Sequence, residues 1–419
     1  MLFVKGQQYI ERDVTPHLQK LMSTYPVVTI CGPRQSGKTT LARHLYPEYD
    51  YVCLENHNER QRFYDDPMGF LDLHKAPCIF DEVQNTPELL SYLQGIVDEQ
   101  DTPGMYILTG SVQMELQEKV TQSLAGRTGF VDLLPLSLHE LQQAGIMLSR
   151  DEYMLLGGLP RVHVQQIDPV NAYADYFRSY VERDLRQLVN IRNLGEFELF
   201  VRLLAARVGQ VVNLSSMAGE VGVSSTTLRE WLTLLEASYV VFTLRPYYKN
   251  FGKRLTKTPK VYFTEPGLVA SLLGIETPAQ MGRDPLVGNM FENLVVLEAL
   301  KSRFNAGRRS NLYFFRDAKG FEIDLILDEQ RLPKPVEVKS THTYDSNLTR
   351  NVRLFQTMVP ESLPPHLVYA GASMGSVQGV SVDSYLDIYR IINGELLISP
   401  SIRKFKSRNS FSKREGDQN

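Results

Sequence analysis

The chain has 419 residues, of which 43% are apolar and 22% charged, which predicts a globular protein of two or three domains and excludes a disordered chain. The 45 basic and 48 acidic residues give a net charge of −3, which excludes binding to nucleic acid by bulk positive charge. The three cysteines, Cys31, Cys53 and Cys78, are too few for a disulfide framework or a cysteine-rich zinc site.

The location of the protein is predicted from features that its sequence lacks. No basic segment followed by an apolar one stands at the amino terminus, and no apolar run reaches the roughly 18 residues of a membrane helix. The scattered cysteines also fit a reducing compartment. We therefore expect a cytoplasmic protein that does not cross a membrane.

The first 155 residues alternate short apolar runs with helical patterns. The apolar runs lie at 27–31, 51–54, 78–80 and 105–109. Runs that are apolar throughout are typical of parallel strands, because helices cover both faces of a parallel sheet. This stretch therefore predicts an α/β domain.

A glycine-rich segment follows the first strand and matches the pattern G-x-x-x-x-G-K-[ST] at every fixed position. Its glycines allow backbone N–H groups to point at phosphate oxygens, and the helix that starts near Lys38 adds its amino-terminal dipole. Lys38 is expected to neutralise the β- and γ-phosphates of ATP, and the Thr39 hydroxyl to bind Mg²⁺. The predicted nucleotide-binding residues are Gly32, Pro33, Arg34, Gln35, Ser36, Gly37, Lys38, Thr39 and Thr40.

An acidic pair, Asp81 and Glu82, ends the third strand, at the edge where doubly wound sheets bind their ligands. Its position behind a complete phosphate loop predicts that Asp81 holds Mg²⁺ and that Glu82 orients the attacking water. An acidic pair at the start of a helix is the alternative. Gln84 is a polar neighbour of this pair without a predicted role.

Three more residues of this domain are candidates for contact with the γ-phosphate. Thr109 or Ser111, at the end of the fourth strand, is expected to sense hydrolysis, and a helix N-cap at Ser111 is the alternative. Arg127 lies in an apolar setting and is expected to clamp the transferred phosphoryl group, in the same chain or from a neighbouring subunit. A salt bridge is the alternative role for Arg127.

Residues 156–275 are predicted to be mainly helical. The stretch 213–236 reads as two helices around a turn at Gly222, with Ser224 or Ser225 as the cap of the second helix. The second helix has one core-facing apolar stripe, formed by Leu228, Trp231, Leu232 and Leu235.

The segment 245–260 that follows has six basic residues and no acidic one, with aromatic residues between them. A wing hairpin that attracts phosphates and stacks on bases is one interpretation. A winged helix used as a packing or lid module is the other, because the second helix offers only Arg229 for reading base edges. The basic residues are Arg245, Lys249, Lys253, Arg254, Lys257 and Lys260.

Residues 276–400 combine a long helix with strand-like runs at 312–316, 321–327 and 336–339. Asp324 lies in one of these runs, and Glu337 and Lys339 share one face of the next. Asp324 and Glu337 could together hold a divalent metal, and Lys339 could steady the attacking water. A surface contact between Glu337 and Lys339 is the alternative.

Nine stretches of the chain carry recognisable motifs: GPRQSGKTT at 32–40, CIFDEVQ at 78–84, YILTGS at 106–111, LAGRTGFVDLLPLSLHEL at 124–141 and carboxy-terminal motifs at 157–160, 180–184, 260–263, 267–268 and 288–293. These motifs resemble the AAA-type ATPase domain of a large prokaryotic family, in which it is fused to a carboxy-terminal domain called DUF4143. The resemblance spans about residues 5–395 and implies ATP binding and hydrolysis. The spacing of Asp324, Glu337 and Lys339 resembles the D…E-x-K core of restriction-endonuclease-like nucleases, and Glu292 matches the acid that a preceding helix often adds.

These patterns predict four parts: a P-loop ATPase domain at 1–155, a helical lid and winged-helix region at 156–275, a nuclease-like α/β domain at 276–400 and a basic, disordered tail at 401–419. We expect ATP hydrolysis with Mg²⁺ to move the carboxy-terminal parts, which act on nucleic acid. The alternative is an adaptor protein that uses ATP as a switch. Its carboxy-terminal domain would be catalytically inactive and would contact other proteins. Homo-oligomerisation is compatible with both functions.

Overall fold

The computed structural model describes residues 9–111, 120, 123–184, 193–247 and 258–394. The predicted tail at 401–419 lies outside the described residues, and so do Lys249, Lys253, Arg254 and Lys257 of the predicted basic wing. The described part of the chain forms two sheets with helices packed against them.

The first sheet is parallel in every described pairing, which confirms the predicted α/β core. Its strand order is β2-β3-β4-β1-β5, so β4 lies between the strand before the phosphate loop and the strand that carries the acidic pair. All residues of β1, β3 and β4 are buried, because helices cover both faces. The strands are β1 Val27–Cys31, β2 Asp50–Cys53, β3 Cys78–Asp81, β4 Tyr106–Gly110 and β5 Thr128–Asp132.

Two hydrophobic clusters hold this sheet between its helices. One cluster packs α1 and α2 against one face through Leu18, Ile30 and Leu41. The other face belongs to a larger core that continues into the rest of the chain. The helices of this part are α1 Thr15–Met22, α2 Lys38–Leu45, α3 His57–Asp65, α4 Pro67–Leu73, α5 Leu89–Gln100, α6 Leu138–Gln143 and α7 Arg150–Leu156.

The middle of the chain is mainly helical, as predicted. Gly222 ends α11 with a left-handed φ of +86°, and the Ser224 hydroxyl then caps α12 by accepting a hydrogen bond of 3.0 Å from the Thr227 N–H. The predicted apolar stripe of α12 is buried. The elements are α8 Pro160–Gln165, α9 Pro169–Tyr176, a π-helix Phe177–Asp184, α10 Leu194–Ala205, β6 Gln210–Val211, α11 Leu214–Val221, α12 Ser225–Ala237, β7 Val241–Pro246, β8 Lys260–Phe263, α13 Pro266–Leu272 and α14 Pro278–Met281.

The second sheet is mixed and has the order β13-β14-β12-β11-β10-β9-β7-β8-β6. Because β7 pairs in parallel with β9, the hairpin β7–β8 of the middle region belongs to the same sheet as the carboxy-terminal strands. One sheet therefore spans the two predicted parts. The carboxy-terminal elements are α15 Val287–Asn305, β9 Leu312–Arg316, β10 Glu322–Glu329, β11 Leu332–Lys339, α16 Arg350–Met358, β12 His366–Tyr369, β13 Gly375–Val377, β14 Val380–Ser384 and α17 Ile388–Asn393.

The long helix α15 is buried along most of its length. It packs against β8 and β11 of the second sheet and against β5 of the first. None of the described helices combines the length and the apolar character that a membrane span requires.

Candidate functional site

The phosphate loop connects β1 to α2 and depends on two glycines. A Cβ atom on Gly32 would lie 2.1 Å from the backbone oxygen of Leu133, so no larger residue fits there without displacing the backbone. Gly37 has a φ of +94° and directly precedes α2, where a residue with a side chain would be strained. Of the other predicted loop residues, Pro33 and Ser36 are buried, Arg34 is half-buried, and Gln35 and Thr40 are exposed.

Lys38 points into the loop that it follows. Its ammonium donates hydrogen bonds of 2.9 Å to the backbone oxygens of Gly32 and Pro33. Burial lowers the pKa of Lys38, and the charges of Glu82 and Asp81 oppose that effect. The Ser36 hydroxyl is buried without a hydrogen-bond partner. Inward-facing donors of this kind fit a phosphate group.

Asp81, at the end of β3, is the centre of a hydrogen-bonded group of side chains. The Thr39 hydroxyl donates to both of its carboxylate oxygens, at 2.9 and 3.1 Å, and the Tyr51 hydroxyl donates to Oδ2 at 2.8 Å. The Thr109 hydroxyl donates to Oδ1. The two residues predicted to hold Mg²⁺, Thr39 and Asp81, are therefore in contact.

Glu82 lies beside Asp81, and its backbone N–H donates to the Thr109 hydroxyl at 3.3 Å, but its carboxylate has partners of its own. Its backbone is left-handed, with a φ of +59° and a ψ of +48°, which is strained for a residue with a side chain. Its Oε2 accepts hydrogen bonds from the Gln84 side-chain amide and, at 3.3 Å, from the Ser111 hydroxyl. Gln84 also donates to Ser111, at 3.2 Å. Gln84 and Ser111 thus hold the carboxylate that was predicted to orient water.

Arg12 supports the phosphate loop, although the sequence analysis did not identify it. Its guanidinium donates to the backbone oxygens of Ser36 at 2.8 Å and Leu134 at 2.6 Å, and pairs with Glu140 at 3.0 Å. All three partners are distant in sequence, so no local pattern points to this residue. Tyr51 was missed for the same reason, because its partner Asp81 lies on another strand.

Arg127 lies far from the phosphate loop of its own chain. It directly precedes β5, and its backbone oxygen accepts from the N–H of Val27, at the amino end of β1. The loop follows the opposite end of β1, roughly 13 Å along the strand. The Arg127 guanidinium pairs with Asp98, with Nη2 2.9 Å from Oδ2. The structure therefore corrects the expected clamp within one chain in favour of the salt bridge.

The mainly helical middle of the chain contacts the ends of β4 and β5, the strands on either side of β1. The hydroxyl of Tyr180, in the π-helix, donates to the backbone oxygen of Ser238 at 2.6 Å and lies 3.5 Å from that of Ser111. Tyr239 directly follows Ser238, and its hydroxyl donates to Asp132 Oδ1 at 2.5 Å. Because Ser238 directly follows α12, the second helix of the predicted helix-turn-helix is tied to the nucleotide edge of the first sheet.

A second group of polar side chains lies on β10 and β11. The Lys339 ammonium is 2.7 Å from Glu337 Oε1, 3.4 Å from Asp324 Oδ2 and 3.1 Å from the backbone oxygen of Val338. The structure thus brings together the three residues of the predicted D…E-x-K group. The ammonium lies among three oxygen atoms of the kind that a hard divalent cation prefers.

Glu337 is the most buried member of this group, with 2% of its side chain exposed. Burial and the neighbouring charge of Asp324 raise its pKa to about 8, although Lys339 opposes the shift. Its Oε1 also accepts from the Asn351 amide at 3.2 Å, whereas Oε2 is buried without a partner. Among the residues that the structure describes, no three His, Cys, Asp or Glu side chains converge as a ready metal site.

Two residues predicted for other roles meet next to this group. Lys260, expected as part of a basic wing, is buried and pairs with Glu292 at 2.7 Å and with Glu322 at 2.5 Å. It therefore does not present its charge to a nucleic acid, and the prediction is corrected for this residue. Glu292 also accepts from the Tyr262 hydroxyl at 2.6 Å. Burial raises the pKa of Glu292 to about 7 against the effect of Lys260.

Comparison with known families divides the chain into three. Residues 24–142 match an AAA domain, residues 147–279 match a domain of unknown function, DUF8612, and residues 287–385 match another, DUF4143. The motifs at 157–160, 180–184, 260–263 and 267–268, which the resemblance assigned to DUF4143, therefore fall within DUF8612. The fold and the phosphate loop define a P-loop ATPase domain joined to a DUF4143 domain.

Two mycobacterial proteins are similar to this chain over most of its length. The uncharacterized proteins Rv2008c of Mycobacterium tuberculosis and Mb2031c of Mycobacterium bovis are each 31% identical to this chain over 347 residues, which are 82% of this chain and 76% of theirs. The chain belongs to the family of these two proteins.

Solved structures of nucleotide-binding proteins are similar at lower identity. The Walker-type ATPase PABY2304 of Pyrococcus abyssi is 16% identical, with a TM-score of 0.43 over 65% of this chain and 100% of that one. DnaA of Aquifex aeolicus, bound to AMPPCP, is 14% identical, with a TM-score of 0.26 over 53% of this chain and 85% of that one.

Proposed function

We propose that the protein binds ATP at the phosphate loop and hydrolyses it with Mg²⁺. The observation that carries this proposal is the contact of Thr39 with Asp81 beside the inward-facing ammonium of Lys38. Thr39 and Asp81 would hold Mg²⁺, which supplies neutralisation of phosphate charge when bound. Lys38 binds the β- and γ-phosphates, and Glu82 orients the attacking water once Gln84 and Ser111 release its carboxylate.

The target of this ATPase, as we propose it, is nucleic acid. The support is the pair of helices α11 and α12, whose outer side exposes Arg229, and the strand β7, which exposes Arg245, the first basic residue of the segment 245–260. Salt-sensitive attraction to phosphates would give most of the affinity. The contacts of Tyr180 and Tyr239 give a physical route by which binding at α12 would reach Ser111 and hence Glu82.

The carboxy-terminal domain is proposed to act on the bound nucleic acid as a metal-dependent nuclease. Asp324 and Glu337 would hold a divalent cation, which supplies an activated water and stabilises charge on the phosphodiester. The orphaned, buried Oε2 of Glu337 fits such a ligand. Lys339 would leave the carboxylates and orient the attacking water beside the phosphate.

A second candidate function is an adaptor that ATP switches, with a carboxy-terminal domain that does not cleave. The specific observation in its favour is that the ammonium of Lys339 lies among the oxygens of Asp324, Glu337 and Val338, where a cation would bind. This function predicts tight nucleotide binding with slow turnover and no salt-sensitive binding to nucleic acid.

The deciding experiment measures ATP turnover of the full chain with and without single- and double-stranded DNA, together with DNA binding at 50 and 200 mM salt. If the protein is a nuclease, DNA should speed up ATP turnover, and DNA binding should weaken as salt rises. The protein should also cleave DNA in the presence of Mn²⁺, and Asp324→Ala should abolish this cleavage. Asp328→Ala, on the same strand, is the matched control and should still cleave. If DNA neither binds nor changes turnover, the adaptor function is supported instead.

A further inference from the structure

The candidate metal site contains two pairs of carboxylates. Asp324 and Glu337 form the pair around Lys339, and Glu292 and Glu322 form a second pair around Lys260. The pairs are neighbours, because Glu322 and Asp324 are two residues apart on β10 and the charge of Asp324 acts on both Lys260 and Glu292, where it raises the pKa of each. No three described acids converge as a ready metal site, but two neighbouring pairs raise the question of how many divalent cations they take.

The second pair is neutralised by the protein itself. Lys260 contacts both of its carboxylates, and the Arg316 guanidinium lies 3.4 Å from the other oxygen of Glu322. Two cationic side chains thus face two carboxylates. The Tyr262 hydroxyl also donates to Glu292 Oε1, the oxygen that contacts Lys260. The negative charge of the two carboxylates is therefore already balanced, so this pair has none left to attract a metal ion.

Lys260 is also fixed in place. Its backbone is paired on both sides, with Val211 of β6 and with Leu244 of β7, and only 2% of its side chain is exposed. Its ammonium lies 5.5 Å from the centre of the Phe314 ring, which favours a cation there. A metal ion at this pair would have to expel an ammonium whose side chain is almost completely buried.

The first pair has the opposite properties. Lys339 is the only cation that contacts both Asp324 and Glu337 among the described residues, and it stands at the end of β11 with 36% of its side chain exposed. Its ammonium can therefore move into solvent. Movement would leave two carboxylates, one of them with an oxygen that is buried and unpartnered. This pair alone has the charge and the free oxygen for a divalent cation.

We propose that Lys260 is a positioning residue that permanently occupies the second carboxylate pair, so that the site takes one divalent cation, between Asp324 and Glu337. Glu292 is then a structural partner of Lys260 and does not bind the metal, in contrast to the role that the nuclease resemblance implies for the helix acid. This inference rests on the proposed metal-dependent function.

The test is Mn²⁺ binding to the full chain, freed of nucleotide and metal, measured by calorimetry and by the electron paramagnetic resonance signal of free Mn²⁺. The Asp324→Ala variant gives the background, including any ion held at Thr39 and Asp81. We expect wild type to bind one ion more than this variant. Glu292→Gln, which keeps the shape of the side chain and leaves Lys260 with Glu322, should bind the same ion within about threefold of wild-type affinity.

The possible outcomes separate the two proposals. Two ions above background, or a loss of more than about tenfold in affinity in Glu292→Gln, would overturn the role of Lys260 and leave the metal site standing. No ion above background would overturn the metal site and the nuclease-type function with it. The Lys260→Met variant, if it folds, should bind a second ion. If that variant does not fold, the affinity of Glu292→Gln for Mn²⁺ decides whether Lys260 keeps a second ion out.

Discussion

The hydroxyl of Tyr180 donates a hydrogen bond of 2.6 Å to the backbone oxygen of Ser238. Tyr180 is buried in the π-helix, and Ser238 directly follows α12. The same hydroxyl lies 3.5 Å from the backbone oxygen of Ser111, whose side chain contacts Glu82. One phenol thus lies between a helix that could bind a partner and the carboxylate that would orient water.

The Tyr180→Phe variant should lose this link, because the hydroxyl oxygen is removed while the ring is kept. We expect the free energy of unfolding to fall by about 1 kcal/mol, as for a typical buried hydrogen bond. ATP affinity should stay unchanged, while stimulation of turnover by nucleic acid is lost. Tyr64→Phe is the control, since the Tyr64 hydroxyl contacts Glu88 on the surface. Full stimulation in Tyr180→Phe would rule out this route of coupling.

Arg12 is expected to stabilise the phosphate loop through its three buried contacts. Arg12→Met leaves Glu140 buried without its cation, and removal of one partner from a buried pair costs about 3–5 kcal/mol. Thermal unfolding should report this loss, and nucleotide affinity should fall as the loop loosens. Arg62→Met, at an exposed pair with Glu59, is the control and should change stability by less than about 1 kcal/mol. Equal effects of the two variants would contradict the role of Arg12.

Gly32→Ala tests the close approach of the loop to Leu133. The added methyl group would lie 2.1 Å from a backbone oxygen, so the loop has to move. Overpacking of this kind costs about 1–3 kcal/mol, and we expect nucleotide affinity to fall by about tenfold or more. Gly219→Ala, in the interior of α11, has open space around it and should instead stabilise by about 0.5–1 kcal/mol. Titration with a fluorescent ATP analogue and thermal unfolding measure both effects.

The phosphate loop and Asp81 were predictable because each depends on a short stretch of sequence at a strand end. The salt bridge of Arg127 follows from β5, which pairs in parallel with β1 and so places Arg127 at the amino edge. The sequence analysis did not identify β5, although its residues alternate in burial. The partners of Lys260 could not be predicted, because Glu292 and Glu322 lie on other elements and only the mixed sheet brings them together.

The raised pKa values of two carboxyl groups predict how the stability of the protein depends on pH. Glu292 and Glu337 have pKa values of about 7 and 8 in the folded protein, against an ordinary value of 4.5. Between 4.5 and 8 the folded state therefore holds more protons than the unfolded state, and its free energy of unfolding falls as pH rises. The contribution is at most about 1.4 kcal/mol per pH unit for each group.

Chemical unfolding in the presence of EDTA, from pH 5 to pH 9, measures this dependence. The Glu292→Gln/Glu337→Gln double variant cannot titrate at these positions, so its slope should be smaller than that of wild type. Parallel curves for the two proteins would show that these carboxyl groups do not have raised pKa values.

The central claim is tested most directly by the ATP turnover of the Glu82→Gln variant. Wild type and Lys38→Ala are measured beside it, and nucleotide binding is followed in the same samples. The account predicts that Lys38→Ala does not bind ATP. It predicts that Glu82→Gln binds ATP within about threefold of wild type but turns it over about 100-fold more slowly, because a carboxylate that positions water contributes on that scale. Turnover by Glu82→Gln at the wild-type rate would contradict the assignment of the site.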